Sequence, residues 1–192
     1  RTLNHDAQAW LERPFVNYVA NLPQRARDHF FGLREAKNDL VGIAVFDRLD
    51  KQLPTDTPLT ELMWRRREIE NYFCRESVLL AYARHDLPND LFGRAKRDAR
   101  EKAMRDSIRE VSDALSTLGK PDPWSGDIKA TDDFLDPLFK SFFKKLDLPL
   151  RLRKADYHVL AGLVPKDELD AEVTEKLDAI VAVARRARPN ED

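Results

Sequence analysis

Residues 40–46 (LVGIAVF) form a nearly unbroken apolar run that stops abruptly at Asp47-Arg48-Leu49-Asp50, and this feature constrains the fold more than any other. A strand covered on both faces reads as continuous hydrophobicity, without the alternation of a half-exposed strand. Upstream, Pro23 suits a first helical turn, and Ala26, Phe30, Leu33 and Ala36 or Lys37 follow at helical intervals. Before that helix, residues 15–19 (FVNYV) are aromatic and β-branched and read as a short strand. Strand, helix and strand together define a βαβ unit. In open α/β sheets, ligands gather at the carboxyl ends of strands, where Asp47 and Asp50 fall.

At 192 residues the chain is long enough for one full domain, or one domain with a helical appendage. Charged residues make up 35%, but acids and bases nearly cancel to a net charge of -1, so any nucleic-acid contact must be a local patch. The single cysteine, Cys74, rules out an intramolecular disulfide and a multi-cysteine zinc site, and a reducing cytoplasm is the simplest compartment. No apolar run approaches the ~20 residues needed to span a bilayer. The chain opens on Arg1, with helical spacing at Leu3, Trp10 and Leu11, and reads as an excised fragment.

Residues 51–60 hold two prolines and three threonines and read as a loop. For residues 63–71 a strand and a helix compete. The strand is preferred because it aims Glu68 and Glu70 at one face, whereas a helix separates residues two apart by roughly 200°. From Glu76 a helix runs to Pro88 with Val78, Leu79, Tyr82 and Ala83 as its stripe. A long charged helix is expected over 94–118, with Ala95, Ala99, Met104, Ile108, Val111, Leu115 and Leu118 inward and Gly119-Lys120-Pro121 as its stop. An aromatic helix follows at Phe134, Leu135, Leu138, Phe139, Phe142 and Phe143, and a last helix at 166–188 carries Val173, Leu177, Ile180 and Val181. The resulting expectation is an α/β domain over 1–93, a partly parallel small sheet flanked by helices, with a mainly helical region over 94–192 packed on it.

Carboxylates at a buried strand end suit Mg²⁺ or Mn²⁺, which prefer oxygen ligands. Asp47 is the leading ligand and Asp50 the next, with Glu68 and Glu70 on an adjoining strand completing the set. Such a site activates water and stabilises charge on a phosphodiester during in-line displacement, with Asp47, Glu68 and Arg66 as the catalytic group. Arg65, Arg66 and Arg67 stand near enough to hold phosphate. The competing reading makes Asp50-Lys51 the opening of a turn and RRREIE a solvated, salt-bridged surface. Lys140, Lys144 and Lys145 either contact a nucleic-acid backbone or form the wet face of an amphipathic helix, the second being preferred. His5, His29, His85 and His158 lack metal-ligand spacing; His29 reads as a packing or capping group, and Cys74 as a buried structural thiol. No G-x-x-x-x-G-K-[ST] segment occurs, so ATP would bind elsewhere in a parent chain.

The strings LPQRARDHFFGLREAKNDLVGIAVFDRLD, WRRREIENYF and KADYHVLAGLVPKDELDAEVTEKLDAI, in this order, resemble the C-terminal portion of bacterial AAA/ABC-type ATPases that carry a Toprim domain, akin to the OLD nucleases. The resemblance covers most of the chain, and RREIENY is its most distinctive short string. It implies a Toprim fold with a helical appendage, divalent-metal cleavage of DNA, an ATPase in cis, dimerisation through that ATPase and a role in defence against phage. Residue by residue, Asp47 matches the family's second acidic motif and Glu68 or Glu70 its downstream one. The family's D-x-D is here Asp47-Arg48-Leu49-Asp50, with the second aspartate one place further on. Its opening E-G-x-x-D has no counterpart and is expected before Arg1. A non-catalytic Toprim-like module that binds DNA or a partner, and an α/β enzyme acting on a small phosphorylated substrate, are the alternatives.

Overall fold

The computed structural model describes residues 3–11, 16–55, 57–88 and 90–188. Its regular elements are α1 (Gln8–Leu11), α2 (Pro23–Ala36), β1 (Gly42–Phe46), β2 (Leu59–Met63), α3 (Glu76–Arg84), α4 (Leu91–Thr117), α5 (Asp136–Lys145), α6 (His158–Ala161) and α7 (Ala171–Ala184). Short 3-10 turns lie at Ile69–Tyr72, Lys154–Asp156 and Lys166–Glu168, and a π-helical turn spans Ala130–Leu135. The protein is α/β but mostly helical, with one parallel sheet of two strands. It divides into two compact units, Arg1–Arg65 with Asp170–Asp192, and Arg66–Leu169. The division expected at 93/94 therefore falls inside the second unit.

In the first unit, Pro23 opens α2 at a position where its missing N–H costs nothing, and Pro23, Ala26 and Phe30 turn inward. Strands β1 and β2 pair in parallel register from Gly42 opposite Leu59 to Phe46 opposite Met63. Parallel neighbours need a crossover of about a dozen residues. Here it is residues 47–58, without helix among the described ones. Gly42 is required for close packing, because a Cβ there would sit 2.7 Å from the Phe30 ring. The core is Ala26, Phe30, Phe46 and Leu59, with Val19, Leu40, Ala44, Leu49, Leu53 and Met63 partly buried against it.

Three expectations need correction here. Residues 16–19 form no strand, and residue 15 lies outside the described residues. Only Phe46 of β1 is buried and the other four residues are half-buried, because β1 has a strand neighbour on one side only. The second strand is 59–63, not 63–71: Pro58 precedes it without entering it, and the 63–71 segment turns at Arg65 and becomes 3-10 at Ile69.

The second unit packs α3, α4 and α5 around Leu79, Met104, Phe134, Phe139, Phe142 and Leu160, all fully buried. Tyr82 meets Phe139 edge-on at 5.3 Å between ring centres. Each such phenylalanine contributes ~2–3 kcal/mol by leaving water. Helix α4 is capped by Asp90, whose carboxylate accepts from the Gly93 N–H at 2.6 Å. It stops at Gly119, whose φ of 64° is the left-handed conformation that closes a helix, with Lys120 N–H donating back to the Leu115 carbonyl. Inward Met104, Ile108, Val111 and Leu115 are as expected, but Ala95 and Ala99 are exposed and Leu118 is 71% exposed.

Candidate functional site

Asp47 follows β1 directly, at the carboxyl end of the parallel pair, and is half-buried. The ladder continues one residue beyond the strands, because Trp64 N–H donates to the Phe46 carbonyl at 2.9 Å. Arg48 then reaches across that end, its guanidinium donating to the Arg65 carbonyl at 3.2 Å. Helix α7 closes the same edge. Asp170 caps it by accepting from the Glu172 N–H, and the Glu172 carboxylate, 2% exposed, accepts the Arg65 N–H at 2.9 Å. Lys176 lies 3.3 Å from that carboxylate, one helical turn on. Asp50 is exposed in the crossover, off the strand end.

Glu68 and Glu70 belong to the second unit and lie on no strand. Glu68 is the N-cap of the Ile69–Tyr72 turn. Its carboxylate accepts from the Asn71 backbone N–H, while the Asn71 amide oxygen accepts the Glu68 N–H at 2.8 Å. The same carboxylate also accepts the Thr131 N–H at 3.0 Å, where the π-helical turn begins. This carboxylate satisfies backbone donors that a chain end would otherwise leave unpaired. Glu70 lies within the turn, where its carbonyl accepts from Phe73 and Cys74. The expected face shared by Glu68 and Glu70 is absent, because that expectation required an extended backbone.

The three arginines do not alternate along a strand. Arg65 pairs with Glu175 at 2.6 Å. Arg66 lies 5.3 Å over the Tyr72 ring and donates to the Asn71 carbonyl. Arg67 donates its N–H to the Gly126 carbonyl at 2.7 Å and its guanidinium to the Asp127 carbonyl at 3.3 Å. Asn71, 2% exposed, completes this junction by donating to the Ser125 and Ile128 carbonyls. The RRREIENY string thus fastens the 123–131 loop, and part of its distinctiveness is structural.

Lys144 is exposed, and Lys145 pairs with Glu110, whose carboxyl is held below its ordinary value first by Lys145 and then by the Ser141 hydroxyl. Cys74 is buried with its thiol directed at the Pro123 carbonyl, and desolvation raises its pKa, as an inert structural thiol requires. His29 is exposed in the middle of α2 and neither packs nor caps. One chemical pair went unforeseen: Arg27 of α2 bonds both oxygens of the Glu61 carboxylate at 2.8 Å, with the Glu61 side chain fully buried in β2. The signal was present, since Arg27 shares the inward helical face with Pro23, Ala26 and Phe30.

Of the four candidate ligands, Asp47 lies at the carboxyl end of the strand pair, Asp50 in the crossover, Glu70 in the 3-10 turn, and Glu68 accepts from two backbone N–H groups. Among the described residues, no three His, Cys, Asp or Glu side chains are grouped to hold a metal ion. No helix among the described residues is long and apolar enough to cross a membrane. No protein-family model, curated protein or solved structure matches the chain.

Proposed function

We propose that the chain is the Toprim-like part of an ATPase-linked, OLD-type nuclease and supplies Asp47 to a divalent-metal centre that hydrolyses DNA phosphodiesters. The observation that carries this is the half-buried Asp47 immediately after β1, at the carboxyl end of a parallel pair. Bound Mg²⁺ or Mn²⁺ would supply an activated water and a counter-charge for the phosphate. The residues of this chain hold the strand end in place: Arg48 spans it to the Arg65 carbonyl, and Glu172 fixes the Arg65 N–H. The ATPase, dimerisation and a role in defence against phage belong on this reading to a longer protein, which also contributes the remaining acidic ligands. Plasmid cleavage by that protein with Mg²⁺ or Mn²⁺ is expected to fall roughly a hundredfold or more in Asp47→Ala, with the melting temperature preserved. Undiminished cleavage by this variant overturns the assignment.

A second reading, a non-catalytic Toprim-like module that binds DNA or a partner, is favoured by the use of Glu68 as a cap. Metal-dependent cleavage by the longer protein separates the two readings, and Glu68→Ala tests the cap. A capping role predicts a stability loss of ~1–2 kcal/mol with any cleavage rate intact. A ligand role predicts the reverse, loss of cleavage at unchanged stability.

A further inference from the structure

The first three turns of α4 differ from the remainder of the helix. From Ala103 onward it presents a regular buried stripe, and its exposed face is tied up in ion pairs: Lys102 and Arg109 with Asp106, Arg105 with Glu76 and Glu101. Over residues 91–100, by contrast, only Gly93 is buried, under the Pro88 carbonyl. Leu91 and Phe92 are 76% and 78% exposed. Four basic residues, Arg94, Lys96, Arg97 and Arg100, stand here against the single acid Asp98. Arg97 and Arg100 donate to the Pro88 and His85 carbonyls, so they anchor the preceding loop while keeping their charge in place.

The arrangement around the helix axis matters more than the number of cations. At about 100° per residue, Leu91, Ala95, Ala99 and Phe92 fall within one strip about 100° wide. Lys96 borders that strip on one side; on the other the acidic Asp98 comes first and Arg94 lies beyond it, all three exposed. A helix with side chains is ~10–12 Å across, and the major groove of B-form DNA is ~12 Å wide with a phosphate wall on each side. Arg94 and Lys96, long cations on opposite sides of a small apolar strip, can reach two phosphate walls flanking base edges, and an exposed Phe at the leading end can meet a thymine methyl. A membrane-surface helix needs a wider apolar face with its cations gathered opposite it, and only Leu91 and Phe92 are large here.

We propose that the exposed N-terminal three turns of α4, through Arg94, Lys96 and Phe92, form a docking surface for duplex DNA. The choice of DNA rests on the nuclease reading, but binding can be measured without cleavage. The test is fluorescence anisotropy of the intact protein with a short labelled duplex in EDTA. Arg94→Glu with Lys96→Glu is expected to weaken binding about tenfold or more and to reduce the slope of log K against log salt by about two, one for each phosphate no longer neutralised. Phe92→Ala is expected to weaken it about threefold with the salt slope unchanged. Arg94→Lys with Lys96→Arg, which keeps the charge, is expected to bind as the parent does and serves as the control for folding. Duplex affinity and slope unchanged in the charge-reversed protein overturn the proposal, as does a parent protein that binds phosphatidylserine vesicles but not duplex. Asp47→Ala should leave this binding intact, so failure of the docking surface and failure of the nuclease assignment give different results.

Discussion

The two units reach stability by different means. Among the described residues, the second has a continuous cluster of twenty-three buried residues built on phenylalanine and leucine, whereas the cluster of the first has four, with Ala7, Trp64, Val181 and Val183 buried outside it. A two-stranded sheet is marginal alone and needs packing against a helix to persist. The first unit obtains this from α2 and secures it with a charged pair, Arg27 with the buried Glu61, in place of more apolar volume. Asp47, the residue on which the proposed metal centre rests, lies on the thinner unit. An apolar core tolerates local change by repacking, while a buried ion pair fails when either partner is lost.

The sharpest way to break the contrast is to remove that pair. Arg27→Ala strands the Glu61 carboxylate, and the transition reported by β1 and β2 amides in hydrogen exchange is expected to fall by roughly 10 °C. Amides of α4 and α5 should keep their protection; parallel loss in both units would show that they share one cooperative transition. In the second unit the corresponding weak point is polar. Asn71→Ala removes its bonds to the Ser125 and Ile128 carbonyls and to the Glu68 N–H, an expected cost of about 3 kcal/mol by urea unfolding. Asn71→Asp, which retains the acceptor but not the donors, should recover only part of it.

The smallest effect concerns the surface of α4 and α5. Lys102 holds the Asp106 carboxyl, and Lys145 the Glu110 carboxyl, below their ordinary values of 3.8 and 4.5. Their contribution is complete above those values, because the unfolded chain then gains nothing by protonation, and it is lost as pH falls through the lowered values of the folded chain. A urea midpoint measured on acidification should therefore decline less steeply in Lys145→Ala than in the parent. Glu110 is exposed and Asp106 half-buried at the surface, so added salt should shrink the difference.

Much of the helical layout was legible because prolines and glycines punctuate it. Pro23, Pro88 and Gly119 lie at or near helix ends, and the Phe134 to Phe143 spacing marks the buried side of α5. The strand leading into Asp47 was legible, but its partner was not. In residues 59–63 the inward positions include Glu61, and a buried carboxylate looks like solvent-facing polarity until its arginine is known. The 63–71 segment failed for the opposite reason. Its acids were placed by the chemistry they could perform, while Glu68 and Asn71 form a local capping box and also bond the 123–131 loop, more than fifty residues away in sequence. Long-range hydrogen bonds of this kind leave no periodic trace.

The first unit is interrupted in sequence: the chain leaves it at Arg65 and rejoins it at Asp170. During synthesis at about 5–20 residues per second, β1 and β2 therefore emerge some 5–20 s before the helix whose Glu172 carboxylate will receive the Arg65 N–H. Through that interval the strand end carrying Asp47 lacks its α7 contact while the whole of residues 66–169 is made. The strand end that carries Asp47 is thus completed only after the second unit has been made.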